Sequence, residues 1–298
     1  MPDYPALKTR FGENCLFDVP AERFTTYRAG GRAEVLVSPA DAGEIVWLTG
    51  WCRANSVPLL VLGRGSNVLV SDRGLPGVVL LTERLSKIEV SGGAVIAQAG
   101  VLWDEVARIT AEYGLPGLEK TSGVPGSVGG ALRMNAGAYG QETFDRLAYI
   151  EAADAEGRIF RLPKKDISYG YRRVRGLEGL VLLSAGFEFA SGEAPPLLKE
   201  RSVVLASRAA KQPLDFPSAG SVFKRPPGDY ASRLIDAAGL KGLKIGGAEV
   251  SSKHAGFIVN TGGAAAADIY SLMCEVRSRV KEKTGVDLEL EQILLGDF

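Results

Sequence analysis

Histidine is almost missing from this chain: His254 is the one among 298 residues. Cysteine is nearly as scarce, with Cys15, Cys52 and Cys274 scattered and odd in number. That excludes a disulfide framework and suits a reducing compartment. Too few Cys and His share a ligand spacing for zinc, so no metal is expected. Net charge is also absent, since 35 Lys and Arg face 35 Asp and Glu. Without a basic field, nucleic acid and anionic membranes are not expected partners. No apolar run approaches the ~20 residues a membrane helix needs. The opening "MPDYPALKTRFGENC" has acids and a proline where a signal peptide would be apolar. A cytoplasmic protein is expected.

Several catalytic signatures are missing too. No G-x-x-x-x-G-K-[ST] occurs, which excludes a P-loop. No G-x-S-x-G occurs, and the one histidine sits in "SSKHAGFIVN", so a serine-hydrolase triad is not expected. The nearest approach to a dinucleotide fingerprint is "VLGRGSNVLVSDRGLPGVVL". It has Gly63 and Gly65 after a strand, but Val68 in the third glycine position. The residues after Val68 are β-like, so no crossover helix offers its N-terminus to a pyrophosphate. The turn is either a plain β-turn or a nest of N–H groups for phosphate.

What is present reads as a mixed chain. "DAGEIVWLTGWCRAN" is a helix with Asp41 as N-cap. "VPLLVL" (57–62) and "GVVLLT" (77–82) are buried strands. "KIEV" and "AVIAQ" form a hairpin around Ser-Gly-Gly, and "AYIEAADAEGRIFRL" forms a second around Asp154–Gly157. In "LWDEVARITAEYG", Leu102, Val106, Ile109 and Tyr113 share a helical face, with Gly114 as cap. "LVLLSAGFEFA" (180–190) is a strand, and "SGEAPPLLKE" marks a boundary before a helical pattern begins near Leu197. A helix over 264–284 buries Ile269, Leu272, Met273, Val276 and Val280, Gly285 ends it, and "VDLELEQILLG" closes the chain as a strand. The expectation is an α+β protein in three units: 1–84, 85–193 and 194–298.

The stretch "SGVPGSVGGALRMNAGAYG" (122–140) carries Val124, Val128, Leu132 and Met134 among its glycines. Apolar anchors hold a backbone down, so this is no linker. Glycine beside anchors means close approach of main chain to a ligand or another element. "YGYRRV" (169–174) sets a tyrosine beside two arginines, and Ser221 follows a glycine in "SAGSVFKRP". On a period of two, Glu291 shares a face with Glu289, opposite Leu288 and Leu290, as an ordinary exposed acid would. His254 reads first as a packed or surface histidine, and only second as a ligand contact.

Seven segments in one order change the weight of these readings: "TTYRAGGRAEVLVSP", "GRGSNVLVSDRGLPGVVL", "SGVPGSVGGALRMNAGAYG", "YGYR", "AGSVFKRP", "GLKGLKIGGAEVSSKHAGFIVN" and "LELEQILLG". Together they resemble the UDP-N-acetylenolpyruvoylglucosamine reductases, flavoenzymes of peptidoglycan precursor synthesis, from about Phe24 to Gly296. The resemblance implies a vanillyl-alcohol-oxidase-like FAD-binding fold of two subdomains plus a C-terminal α+β substrate domain. It implies FAD as cofactor, NADPH as co-substrate, and a monomer that reduces an enolpyruvyl sugar nucleotide to UDP-N-acetylmuramate. For FAD it implies Tyr27, Gly63, Arg64, Gly65, Ser66, Asn67, Ser122, Gly123, Pro125, Gly126, Ser127, Gly130, Asn135 and Gly137. For substrate it implies Tyr171, Lys211, Arg225 and His254. For catalysis it implies Arg172 and Glu291, stabilising an enolate-like intermediate, and Ser221 as proton donor; to donate a hydrogen bond, Glu291 would share a proton.

The chain departs from the family pattern at Arg225, where asparagine is common, and at Leu290 and Gln292, where proline and valine are. The 48 residues between Arg172 and Ser221 resemble a shorter subtype without a tyrosine loop over the sugar. Two other readings stand beside this one: another FAD-dependent oxidoreductase of the same fold, and a nucleotide-sugar binding protein without redox activity.

Overall fold

The computed structural model describes residues 4–298. The chain divides into two compact units, each assembled from separated segments. The first takes the chain up to Phe17, Val35–Arg64 and Gly77–Ser207; the second takes Asp18–Glu34, Gly65–Pro76 and Arg208–Phe298. Contiguous segmentation at 84 and 193 does not register this, because no shift of composition accompanies the crossings.

The first unit is built on a five-stranded antiparallel sheet. Its order is Ile159–Pro163, Leu147–Ala153, Val181–Glu188, Ala94–Gln98, Ile88–Ser91. Both expected hairpins are there, and the apolar run of Val181–Glu188 takes the centre, where both faces are covered. Trp103 packs its ring edge on Phe187, 5.9 Å between centroids, and donates Nε1–H to Thr121 Oγ1 at 3.0 Å. A second core joins Leu7, Phe11, Ile45, Leu48, Val78 and Leu80. The helix Ala42–Ala54 starts as expected, with the Asp41 carboxylate accepting from Glu44 N–H at 2.9 Å. Leu59–Leu62 runs parallel to Val78–Leu81 but is the edge of its sheet, hence half-buried rather than buried.

Two helices differ from the sequence reading. In Trp103–Glu112 the inward face is Trp103, Val106, Ala107, Thr110 and Ala111. Leu102 is the N-cap and Tyr113 is well exposed. The large indole, one residue on from Leu102, decides which face is buried. The helix expected from Leu197 begins at Ala194, with Pro195 and Pro196 in its first turn, where no intrahelical N–H bond is required.

In the second unit, Ala266–Thr284 lays Ile269, Leu272, Met273, Val276 and Val280 inward, as the pattern expected, and ends at left-handed Gly285. Asp72 caps its start: its two carboxylate oxygens accept from Ala266 N–H and Ala267 N–H, both at 2.8 Å. An anion there also suits the helix dipole. The helix packs on the antiparallel strands Lys244–Ile245, Ala248–Val250 and Ile258–Asn260. The expected closing strand is shorter, Ile293–Leu295, and pairs in parallel with Val68–Val70.

Candidate functional site

The glycine-bearing turn Gly63–Asn67 leaves main-chain donors exposed to use. Among the described residues, the N–H groups of Gly63, Arg64, Gly65 and Asn67 donate to no protein acceptor. Gly65 has φ +60, and a Cβ there would lie 2.2 Å from the Phe24 carbonyl oxygen, so only glycine fits. A right-handed residue followed by a left-handed one turns successive N–H groups the same way, which is the geometry of an anion nest. Ser66 sits half-buried in this turn. The Arg64 guanidinium lies 3.7 Å from the Glu83 carboxylate.

In the first unit the Ser122–Gly130 segment lies against Gly63: a Cβ on Gly63 would meet Ser127 Oγ at 2.2 Å. Most of its N–H groups are used internally. Gly123 N–H goes to Asp104 Oδ1 at 2.6 Å, Val128 N–H to Val101 O at 2.9 Å and Gly129 N–H to Ala99 O at 2.8 Å. Gly126 and Ser127 keep theirs, and Gly130 faces open room, with Ser127 Oγ 3.8 Å from an added Cβ. Pro125 is exposed. Asp104 also holds Arg201 in a two-pronged pair at 2.6 and 2.8 Å. No sequence signal singled out Asp104.

Three residues expected at FAD have side chains held by the protein. Tyr27, Ser122 and Asn135 are fully buried. The Tyr27 hydroxyl donates to Gln292 Oε1 at 2.9 Å, and Ser122 Oγ donates to Glu119 O at 2.6 Å. Asn135 donates to Glu142 Oε2 and Gly170 O, and accepts from Phe144 N–H. These side chains, like the N–H of Gly123, bond to the protein and brace the segments that carry them.

Arg172 belongs to the first unit. It is the second residue of the two-residue loop joining Ser168–Gly170 to Arg173–Arg175. Its φ is +51, an uncommon conformation for a long side chain and one that concentrates at functional sites. The guanidinium donates to Asn135 O at 3.2 Å and Gly137 O at 2.7 Å and stacks on Tyr171, 4.9 Å from the ring centroid. A fixed cation is the result.

Ser221 and Glu291 belong to the second unit and come together there. Ser221 pairs with Phe257, and Val222 N–H donates to Gly256 O at 2.9 Å. On the other side, Glu291 N–H donates to Val222 O at 2.8 Å and Lys224 N–H to Glu289 O at 2.9 Å. Asn67 Nδ2 donates to Glu291 O at 3.0 Å, so the Gly65–Asn67 end of the turn also reaches this strand. The expected alternation holds in part: Leu288 and Gln292 are buried and Glu289 is exposed, but Glu291 is half-buried like Leu290 rather than an exposed acid. Gln292 is the residue that pattern reading left without a role.

Lys211 ends its helix exposed, and Arg225 lies over the exposed Tyr230 ring, 4.5 Å from its centroid. His254 Nδ1 accepts from Gly256 N–H at 3.1 Å and its ring meets Phe257 edge-on at 4.9 Å. Burial, with Lys241 adding to it, holds its pKa below the usual 6.5.

The chain has close relatives among known proteins. Residues 212–295 match the family described as UDP-N-acetylenolpyruvoylglucosamine reductase, C-terminal domain, and residues 33–163 match FAD binding domain. A UDP-N-acetylenolpyruvoylglucosamine reductase of Caldanaerobacter subterraneus subsp. tengcongensis is 40% identical over 279 residues, 93% of this chain and 92% of that one. One from Staphylococcus aureus is 39% identical over 286 residues, 96% of this chain and 93% of that one. The solved UDP-N-acetylenolpyruvylglucosamine reductase of Thermus caldophilus superposes with a TM-score of 0.81 at 33% identity, covering 95% of this chain and 98% of that one.

Proposed function

The chain belongs to the UDP-N-acetylenolpyruvoylglucosamine reductase family, and from that premise we propose that Arg172, Ser221 and Glu291 handle charge and proton in its reaction. The enzyme uses FAD to reduce UDP-N-acetylglucosamine enolpyruvate to UDP-N-acetylmuramate in peptidoglycan precursor synthesis. Among the described residues no helix is long and apolar enough to cross a membrane. We read it as a cytoplasmic monomer whose electrons come from NADPH.

The backbone fits the cofactor. An FAD pyrophosphate needs donors without obstructing side chains, and the Gly63, Arg64, Gly65, Gly126 and Ser127 N–H groups meet that requirement. Ser66 and Asn67 in the first stretch, Pro125 and Gly130 in the second, and Gly137 beyond it would add further contacts to the cofactor. FAD, when bound, relays a hydride from NADPH to the substrate.

The residues of this chain do the rest. Hydride addition at C3 of the enolpyruvyl group drives the π electron pair toward C2 and the carboxylate. Arg172 stabilises that charge, fixed in place by the Asn135 and Gly137 carbonyls. Glu291 shares a hydrogen bond with the same carboxylate. Ser221 Oγ–H protonates C2, completing the lactyl ether, and recovers its proton from solvent. Tyr171, Lys211, Arg225 and His254 bind the sugar nucleotide, the cations meeting its diphosphate.

The observation that supports this assignment best is the ribbon at Val222, whose carbonyl holds Glu291 N–H one residue after Ser221. Stopped-flow absorbance tests it. Ser221→Ala should let NADPH bleach the flavin at the normal rate while reoxidation by the enolpyruvyl substrate slows ~100-fold, the size of losing a transition-state donor. Equal falls in both half-reactions would remove Ser221 from the proton-donor role.

A further inference from the structure

We propose that Gln292 is a positioning residue whose buried amide clamps the Ala219–Gly220 peptide and so sets where the Ser221 hydroxyl sits. This rests on the reading of Ser221 as proton donor.

Gln292 comes directly after Glu291 and points to the opposite face, among Leu288 and Leu290, where packing alone calls for an apolar side chain. It is 4% exposed. Nε2 donates to Ala219 O at 3.0 Å and Gly220 O at 3.2 Å, and Oε1 accepts from the Tyr27 hydroxyl at 2.9 Å. The carbonyls only accept, which fixes the amide with its nitrogen toward them. Every polar atom of the side chain is therefore matched.

The clamp acts where the chain is intrinsically loose. Gly220 has φ +74 and its Cβ position is open, so neither sterics nor packing fixes this turn. Held points lie on either side. Upstream, Asn260 N–H holds Pro217 O at 2.9 Å, and Asn260 Nδ2 donates to Tyr27 O at 3.0 Å. Downstream, Val222 is held by Gly256 and Glu291. Gln292 closes the interval between them. Tyr27 serves as its anchor, packed with Leu69, Ala219 and Val222. One dipeptide, Glu291–Gln292, thus presents an acid on one face and fixes the serine turn with the other.

A proton donor displaced by a fraction of an ångström loses rate steeply. Two variants read the clamp in the FAD-loaded enzyme. Gln292→Glu keeps shape and the acceptor for Tyr27 but lacks both donors; Gln292→Met keeps volume alone. Both should slow flavin reoxidation by the enolpyruvyl substrate ~10- to 100-fold, with flavin content and NADPH reduction rate within about twofold of wild type, the range expected of a local change. Amide hydrogen exchange at Gly220–Val222 should rise in both. On a Ser221→Ala background, Gln292→Glu should add no further slowing, because the two act as one unit. Normal reoxidation in both variants, an equal fall in the two half-reactions, or full additivity with Ser221→Ala overturns the proposal. If Ser221→Ala reoxidises normally, the proton-donor reading falls and takes this one with it. If Ser221→Ala is slow while the Gln292 variants are normal, the clamp alone falls.

Discussion

Gly65 and Gly123 sit in two glycine-bearing segments that look alike in sequence, yet their N–H groups have opposite fates. In the Gly63–Asn67 turn the N–H groups of Gly63, Arg64, Gly65 and Asn67 are held back from the protein. In Ser122–Gly130 most are taken by local turn carbonyls, by Ala99 and Val101, and by Asp104. Glycine does different work in each. At Gly65 it permits a left-handed turn whose donors meet no protein acceptor among the described residues. At Gly129 it lets main chain lie against Ala99, and Gly123, left-handed like Gly65 at φ +73, turns its N–H to Asp104 instead. The second segment mostly supports and shapes, leaving only the Gly126 and Ser127 N–H groups uncommitted among the described residues, whereas the first leaves four. Richness in glycine alone cannot separate these two cases.

The largest effect should come from the first segment. Gly65→Ala combines a positive φ with a Cβ 2.2 Å from Phe24 O and 2.8 Å from Thr25 Cα, both backbone atoms that cannot swing aside. A cost of roughly 4 kcal/mol or more is expected, seen as poor soluble yield, a depressed Tm and loss of the flavin spectrum. Gly63→Ala should be milder, because the added methyl meets the rotatable Ser127 Oγ. Equal stability of the two variants would show that the turn is not set by the backbone clash.

How much of this was legible beforehand depends on the kind of interaction. The Ala266–Thr284 helix was readable to its cap because one apolar stripe and one glycine decide it. Both hairpins were readable from alternation and turn residues. The inward face of Trp103–Glu112 was not, because a single indole outweighs three smaller apolar residues. The site residues came from resemblance: nothing in "YGYRRV" alone states that Arg172 occupies a left-handed turn. Gln292 carried a readable signal, a polar residue on the leucine face of a period-two pattern, whose partners Tyr27, Ala219 and Gly220 are too distant in sequence to infer.

The supporting role of the second segment can be broken at Asp104. Asp104→Asn loses the charge that draws in both Gly123 N–H and the largely buried Arg201. About 2 kcal/mol of stability should go, the scale of hydrogen bonds to a charged group, read from urea unfolding. Flavin affinity should weaken less than in Gly65→Ala. A variant that unfolds normally yet releases FAD would make Gly123 a contact after all and erase the contrast.

Gly256 offers the smallest and most reversible version of the same test, since its N–H is held by a group that titrates. His254 Nδ1 must be unprotonated to accept it, and burial, helped by Lys241, depresses the ring's pKa below 6.5. The folded state therefore binds this proton less readily than the unfolded chain does. The contribution is fully present above about pH 6.5, the unfolded value, and is lost as pH falls through the folded one. Between pH 7.5 and 5 the unfolding midpoint should drop by an amount on the order of 1 kcal/mol, one hydrogen bond's worth, and His254→Gln should flatten that part of the profile. A wild-type profile that matches the variant over this range would mean that protonation leaves the Gly256 N–H bond intact, and the histidine would then be a packing element beside Phe257 instead of an acceptor on which the Ser221 ribbon depends.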